Sequence, residues 1–170
     1  MKITLFFLTM LFGTLALAED SWLKKPNLYF YQDNTILQER IGSDTDINNL
    51  ATLVNDAFIK EAKKLKKTAD EKPISLVIVF NDSGKVKHWV ETSNTKRQKE
   101  WEKIAKKALK DIPFKSLSGS TAIAFRFGIE GHNEDLPVNP PIVQAWDEII
   151  NKSGKISASA LFDKLLLNEK

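Results

Sequence analysis

Side chains with the chemistry for catalysis are few in this chain, and their spacing argues against a covalent or hydrolytic centre. Ser21-Trp22-Leu23-Lys24 has the serine-x-x-lysine spacing in which an amine activates a serine nucleophile, and Ser43-Asp44-Thr45 and Lys152-Ser153-Gly154 loosely echo the two motifs that accompany it. A catalytic fold of that kind needs well over the 152 residues that follow an N-terminal leader, and Ser21 stands beside the mature terminus instead of opening a buried helix. Ser116, Ser118 and Ser120 lack the glycine-flanked elbow of a nucleophilic serine, and no glycine-rich loop leads into a helix with a phosphate-binding lysine. The histidines are His88 and His132. A general base needs an oriented partner, so a lone strand histidine such as His88 reads first as a packed or surface residue. Glu130, His132, Glu134 and Asp135 share a polar connector without recognised ligand spacing, which reads as a solvated turn. With no cysteine, the chain has no disulfide, thiol nucleophile, zinc-thiolate site or lipid-modified cysteine. The expectation is a protein with no catalytic residue, no metal site and no cofactor.

The elements that must position any site begin after residue 18. Lys2 precedes an apolar run from Ile3 to Leu17, and Ala16-Leu17-Ala18 is a small-x-small processing site before Glu19. The run is shorter than the roughly 20 residues of a membrane span. Residues 1–18 therefore read as a cleaved signal peptide, with a single periplasmic domain at 19–170 and no stable membrane span after cleavage. Removing the leader takes away one cation and leaves 24 Lys+Arg against 22 Asp+Glu. That near-neutral balance speaks against nucleic acid as a partner.

Residues 19–41 carry Trp22, Tyr29, Phe30 and Tyr31 and read as an extended lead-in with one short strand. Over 43–67 the apolar residues Ile47, Leu50, Ala51, Val54, Phe58, Ala62 and Leu65 recur at helical spacing behind Ser43, Asp44 and Thr45 as caps. After Pro73 the period falls to two: residues 74–80 form a strand, Asn81-Asp82-Ser83-Gly84 supplies turn chemistry, and 86–91 returns as the second arm of a hairpin. Trp101, Ile104, Ala105, Ala108, Leu109 and Ile112 make the stripe of another helix, which Pro113 stops. Residues 121–129 alternate as a third strand. The extension at 130–170 holds two further amphipathic helices, with Trp146 on one and Leu161, Phe162, Leu165 and Leu166 on the other, which complete the fold. The fold class expected is α+β, a three-stranded antiparallel sheet packed against amphipathic helices, with additional C-terminal helices.

Residues 74–129 resemble the C-terminal domain family of TonB and TolA, the periplasmic ends of envelope energy-transducing proteins. The likeness rests on the strand Ser75 to Phe80, the turn Asn81-Asp82-Ser83-Gly84-Lys85-Val86 and the polar break Thr92-Ser93-Asn94. It continues through the helix Trp101 to Leu109, the exit Ile112-Pro113-Phe114 and the strand Ala122 to Phe127. It covers about a third of the chain, within a core of 43–129. The resemblance implies binding of another envelope or secreted protein, by an extended peptide adding to a sheet edge. TonB and TolA also keep a membrane anchor and a long spacer, whereas a cleaved signal and no spacer are expected here, so energy transduction is not implied.

Two arrangements of the edge stay open: it is free, or it is covered by residues 19–41 or the C-terminal helices. If free, Val86, His88, Val90 and their strand, or residues 121–129, would supply backbone contacts, with Trp89 and Arg126 for specificity. Lysines cluster twice, at Lys60, Lys63, Lys64, Lys66 and Lys67, and at Lys99, Lys103, Lys106, Lys107 and Lys110. The second set is a basic patch along one helix, either a solvated face or a docking surface for an acidic partner. The alternative function is a periplasmic inhibitor or immunity protein that blocks a toxin or cell-wall hydrolase through residues 116–120 or 130–135. An enzyme or small-ligand carrier would need a deep pocket with convergent polar groups.

Overall fold

The computed structural model describes residues 22–130, 139–153 and 156–167. The proposed signal peptide, Ser21, His132, Glu134 and Asp135 lie outside the described residues. Among the described residues four strands and five α-helices follow in the order β1 (Asn27–Phe30), α1 (Asn34–Ile41), α2 (Asp44–Ala62), β2 (Ile74–Phe80), β3 (Val86–Thr92), α3 (Gln98–Leu109), β4 (Thr121–Phe127), α4 (Gln144–Ser153) and α5 (Ala158–Leu167). Among the described residues no helix is long and apolar enough to cross a membrane.

The fold is α+β, with one correction to the expected sheet. It has four strands, in the order β1-β4-β2-β3 with every neighbouring pair antiparallel. The fourth strand comes from the aromatic lead-in: Asn27 pairs with Arg126 and Phe30 with Ile123, so β1 covers the edge that β4 would otherwise present. An isolated bridge between Leu23 and Ile129 extends that cover. The lead-in also folds into α1, which its weak periodicity does not announce. Asp33 starts it, accepting a hydrogen bond from the Ile36 N–H at 3.0 Å, and Gly42 ends it at φ 113°.

Helices cover both faces of the sheet. On one face α2 and α3 lay Val54, Phe58, Trp101 and Ala105 over Leu76, Ile78, Phe125 and Phe127. Phe58 stacks on Phe127 at 4.6 Å between ring centroids. On the other face α4 and α5 bring Trp146, Phe162 and Leu165 onto Val77, Val79, Ala122 and Ala124. Small alanines on β4 leave room there for the Trp146 and Phe162 rings, 5.8 Å apart. All seven residues of β2 are buried, which explains why its run is apolar on both faces apart from Ser75.

Local chemistry fixes the junctions. The Ser43 hydroxyl accepts from the Asp46 N–H at 3.3 Å while the Asp46 carboxylate accepts from the Ser43 N–H at 2.9 Å, a capping box that begins α2. In the β2–β3 turn Asn81 Oδ1 accepts from the Lys85 N–H at 3.0 Å, and Gly84 takes φ 77°. α2 ends at Ala62, five residues short of the expected 67: beyond it the Lys64 N–H donates to the Glu61 carbonyl at 3.1 Å and the Leu65 N–H to the Ala62 carbonyl at 2.9 Å, tighter three-residue turns that replace the α-helical ladder.

Because α4 and α5 supply the second half of the core, Phe162→Ala will cost about 3–5 kcal/mol of stability. Leu117→Ala, at a residue 70% exposed, will cost under about 0.5 kcal/mol. Urea denaturation of both variants measures the contrast.

Candidate functional site: an open strand edge beside a basic helix

β3 is the uncovered edge of the sheet: among the described residues no strand pairs with it on the side away from β2. The direction of its backbone groups follows from the ladder. The Asn81 N–H donates to the Lys85 carbonyl at 3.2 Å, so Asn81 and Lys85 form a hydrogen-bonded pair. Hydrogen-bonded and non-hydrogen-bonded pairs alternate in an antiparallel ladder. Phe80–Val86, Ile78–His88, Leu76–Val90 and Ile74–Thr92 are therefore the non-bonded pairs of the β2–β3 register. The N–H and C=O groups of Val86, His88, Val90 and Thr92 point away from β2. A second observation agrees: the Gln98 side-chain amide reaches the Val90 carbonyl from outside the sheet.

These groups face a groove of about 840 Å³ between β3 and α3, also bordered by Gln144 and Ala145 at the start of α4. A second hollow of about 440 Å³ shares His88 and Lys106 with it and continues to Gly84, Val86, Pro113 and Phe114. Together they follow the whole length of β3. Helix α3 runs antiparallel to that strand, since Gln98 and Lys99 lie beside Val90 to Thr92 while Lys106 and Lys110 lie beside Val86 and His88.

Placement of α3 depends on a buried carboxylate. Glu71 is fully buried, accepts from Trp101 Nε1 at 3.2 Å and from Thr68 Oγ1 at 3.1 Å, and is paired with the Arg97 guanidinium. Arg97 also donates to the Lys66 carbonyl at 3.2 Å and to Glu100 at 2.7 Å, with its guanidinium 5.8 Å from the Trp101 ring. The link ties the first turn of α3 to the segment ahead of β2.

Of the residues picked out in the sequence, Val86, His88, Trp89 and Val90 come together on β3. Val90 is buried in the core, so its share of the edge is its backbone alone. Trp89 is half-buried on the opposite side of the strand, edge-on to Trp146 at 5.6 Å, with the Lys87 ammonium 5.9 Å from its ring. Arg126 does not join them. It lies on an inner strand between Asn27 of β1 and Ser75 of β2, half-buried, so residues 121–129 offer no edge. Lys99, Lys103, Lys106 and Lys110 line the groove, whereas Lys107 is directed towards Glu61 of α2, whose carboxyl lies below its usual range through Lys64, with Lys107 a smaller cause. Gln98, Glu91, Glu102 and Gln144 belong to the site without having been singled out. Gln98 and Glu102 carry a legible signal, since they share a helical face with Lys99 and Lys106; the roles of Glu91 and Gln144 come from packing.

Burial holds the His88 imidazole below its ordinary value, against the pull of Glu102 and with the push of Lys106. Burial raises the Glu91 carboxyl, which accepts from the Gln144 backbone N–H. The Tyr31 hydroxyl, buried and near Glu91, is raised as well, and donates to the Pro141 carbonyl at 2.5 Å. Among the described residues no three His, Asp or Glu side chains are grouped as metal ligands.

Comparison with known proteins gives no match: no family model, no curated protein and no solved structure matches the chain.

Two outcomes are expected here. Glu71→Ala, which removes the buried carboxylate shared by Arg97 and Trp101 Nε1 and leaves the guanidinium with Glu100 and the Lys66 carbonyl, will cost on the order of 3 kcal/mol in chemical denaturation. The His88 ring will titrate below 6.5 by NMR. Between that folded midpoint and 6.5 the unfolded chain binds more protons than the folded one, so this histidine's contribution to stability falls as pH is lowered through the window. Glu91 acts with the opposite sign, so the His88 share is the difference between the stability–pH curves of the wild type and His88→Gln.

Proposed function

We propose that this chain is a non-enzymatic protein-binding module of the periplasm, associated with envelope or transport machinery, that takes an extended segment of another envelope or secreted protein as a fifth strand alongside β3. One observation carries the reading. The outward backbone groups of Val86, His88, Val90 and Thr92 lie along a groove as long as the strand itself, and of these the Val90 carbonyl is held by the Gln98 side-chain amide, which an added strand would displace. Unpaired backbone groups at a sheet edge are a template for another strand, and native chains ordinarily cover them. Here β1 covers one edge while β3 is left beside a groove.

Further observations support it. The leader-like residues 1–18 argue for export, and the absence of cysteine suits a fold stabilised by its two cores instead of by cross-links. The hairpin, helix and returning strand follow one another in the order of the TonB and TolA likeness. Binding also suits the groove better than catalysis does, because it is open along its length. Among the described residues the His88 ring has no hydrogen-bond partner to orient it as a base.

A second reading, an inhibitor or immunity protein that blocks a toxin or cell-wall hydrolase, has its own observation. Leu117 is 70% exposed at the tip of a loop held by Arg40, whose carbonyl accepts from the Leu117 N–H and whose guanidinium reaches the Ser120 carbonyl and the Ser159 hydroxyl at 3.1 Å. A rigid loop with an apolar tip suits insertion into a cleft.

Amide hydrogen exchange separates the two. With the partner captured from envelope extract, the Val86, His88 and Val90 amides will become protected and His88→Pro, which removes one outward donor but no β2 ladder bond, will abolish capture. Protection confined to residues 116–120, with capture lost in Leu117→Asp instead, decides for the inhibitor reading.

A further inference from the structure

The basic row on α3 gives the chemistry of the strand that the edge would accept. Lys99, Lys103, Lys106 and Lys110 are exposed and all open into the groove or its continuation. Among the described residues none of the four has an ion-pair or hydrogen-bond partner. The groove also holds two carboxylates, Glu91, which accepts from the Gln144 N–H, and Glu102, which accepts from Gln98 Nε2 at 3.3 Å, so the four lysines outnumber them two to one. Four cations thus face a strand edge with two carboxylates among them, a net positive row.

The spacing is commensurate with an extended chain. At ~1.5 Å per residue, the four lysines occupy about 16 Å of helix. At ~3.3 Å per residue that is about five residues of strand. Steps of three or four helical residues, ~4.5–6 Å, approach the ~6.6 Å between every second residue of a strand. Since α3 runs alongside β3, an added strand would turn alternate side chains towards the lysine row.

We infer that the β3 edge selects an extended acidic segment of a partner protein, with carboxylates at alternate positions facing Lys99, Lys103, Lys106 and Lys110. The inference rests on the strand-addition reading above and adds the partner's charge and periodicity. A second copy of this chain is disfavoured as occupant, because two β3 edges brought together would also bring two lysine rows together.

The test uses the chain from residue 19 onward and three capped seven-residue peptides that alternate threonine with glutamate, with glutamine or with lysine. Binding is measured by calorimetry, and backbone amide shifts locate the peptide. The glutamate peptide is expected to bind roughly tenfold more tightly than the glutamine peptide at low salt, by three exposed ion pairs of modest strength each. It should shift the Val86, His88 and Val90 amides, and the advantage should shrink at high salt as the Debye length shortens. Changing the four lysines together to glutamine, at exposed positions that leave the fold intact by circular dichroism, should equalise the two peptides. Equal affinities in the wild type, or preference for the lysine peptide, overturn the acidic selection while leaving the strand addition standing. Binding that depends on charge but shifts only α3 amides overturns strand addition instead. Protection of the Val86 and His88 amides in the free chain overturns the inference in favour of another occupant; sedimentation then assigns that occupant to a second copy if the protection comes with dimerisation, and to the chain itself if it remains monomeric.

Discussion

Burial of β2 on both faces is the constraint from which the rest of the architecture follows. Seven consecutive residues without solvent exposure cannot be satisfied by a sheet with helices on one side only. α2 and α3 take the side of Leu76, Ile78 and Phe80; α4 and α5 take the side of Val77 and Val79. The extension beyond β4 is therefore half of the core, and the alanines at 122 and 124 are the space into which its aromatic residues pack.

The same requirement explains the asymmetry of the edges. A central strand needs a neighbour on each side, and β4 and β3 fill those places beside β2. β4 is itself nearly all buried and depends on β1 for its outer hydrogen bonds, with Lys24 donating to the Gly128 carbonyl at 2.9 Å to continue the ladder. β3 differs in kind. Most of its residues are half-buried or exposed, one of its faces leans on Trp146 and the other on the α3 stripe, and its outer backbone meets a groove and not a strand. Charge is arranged to match: a buried ion pair at Glu71 and Arg97 anchors the helix, while the lysines beyond it face outwards without partners among the described residues. The first serves placement, since a buried pair fixes geometry more than it adds stability. The second leaves an electrostatic field along the edge.

The sequence by itself determined the hairpin, the α3 stripe, β4 and the two C-terminal helices, because each writes its own period into local residue order. It also determined that no cysteine chemistry exists in this protein, and it placed Val86, His88 and Val90 on one strand and the lysines on one helix. Sheet order was decided only in three dimensions. Nothing local in Asn27–Phe30 states that it pairs with β4, nearly a hundred residues away, and that pairing removes Arg126 from any edge. The outward direction of the β3 amides and the meeting of the lysine row with them are likewise tertiary facts, since a ladder's phase and a helix's position are set by packing against other elements and not by the residues that display them.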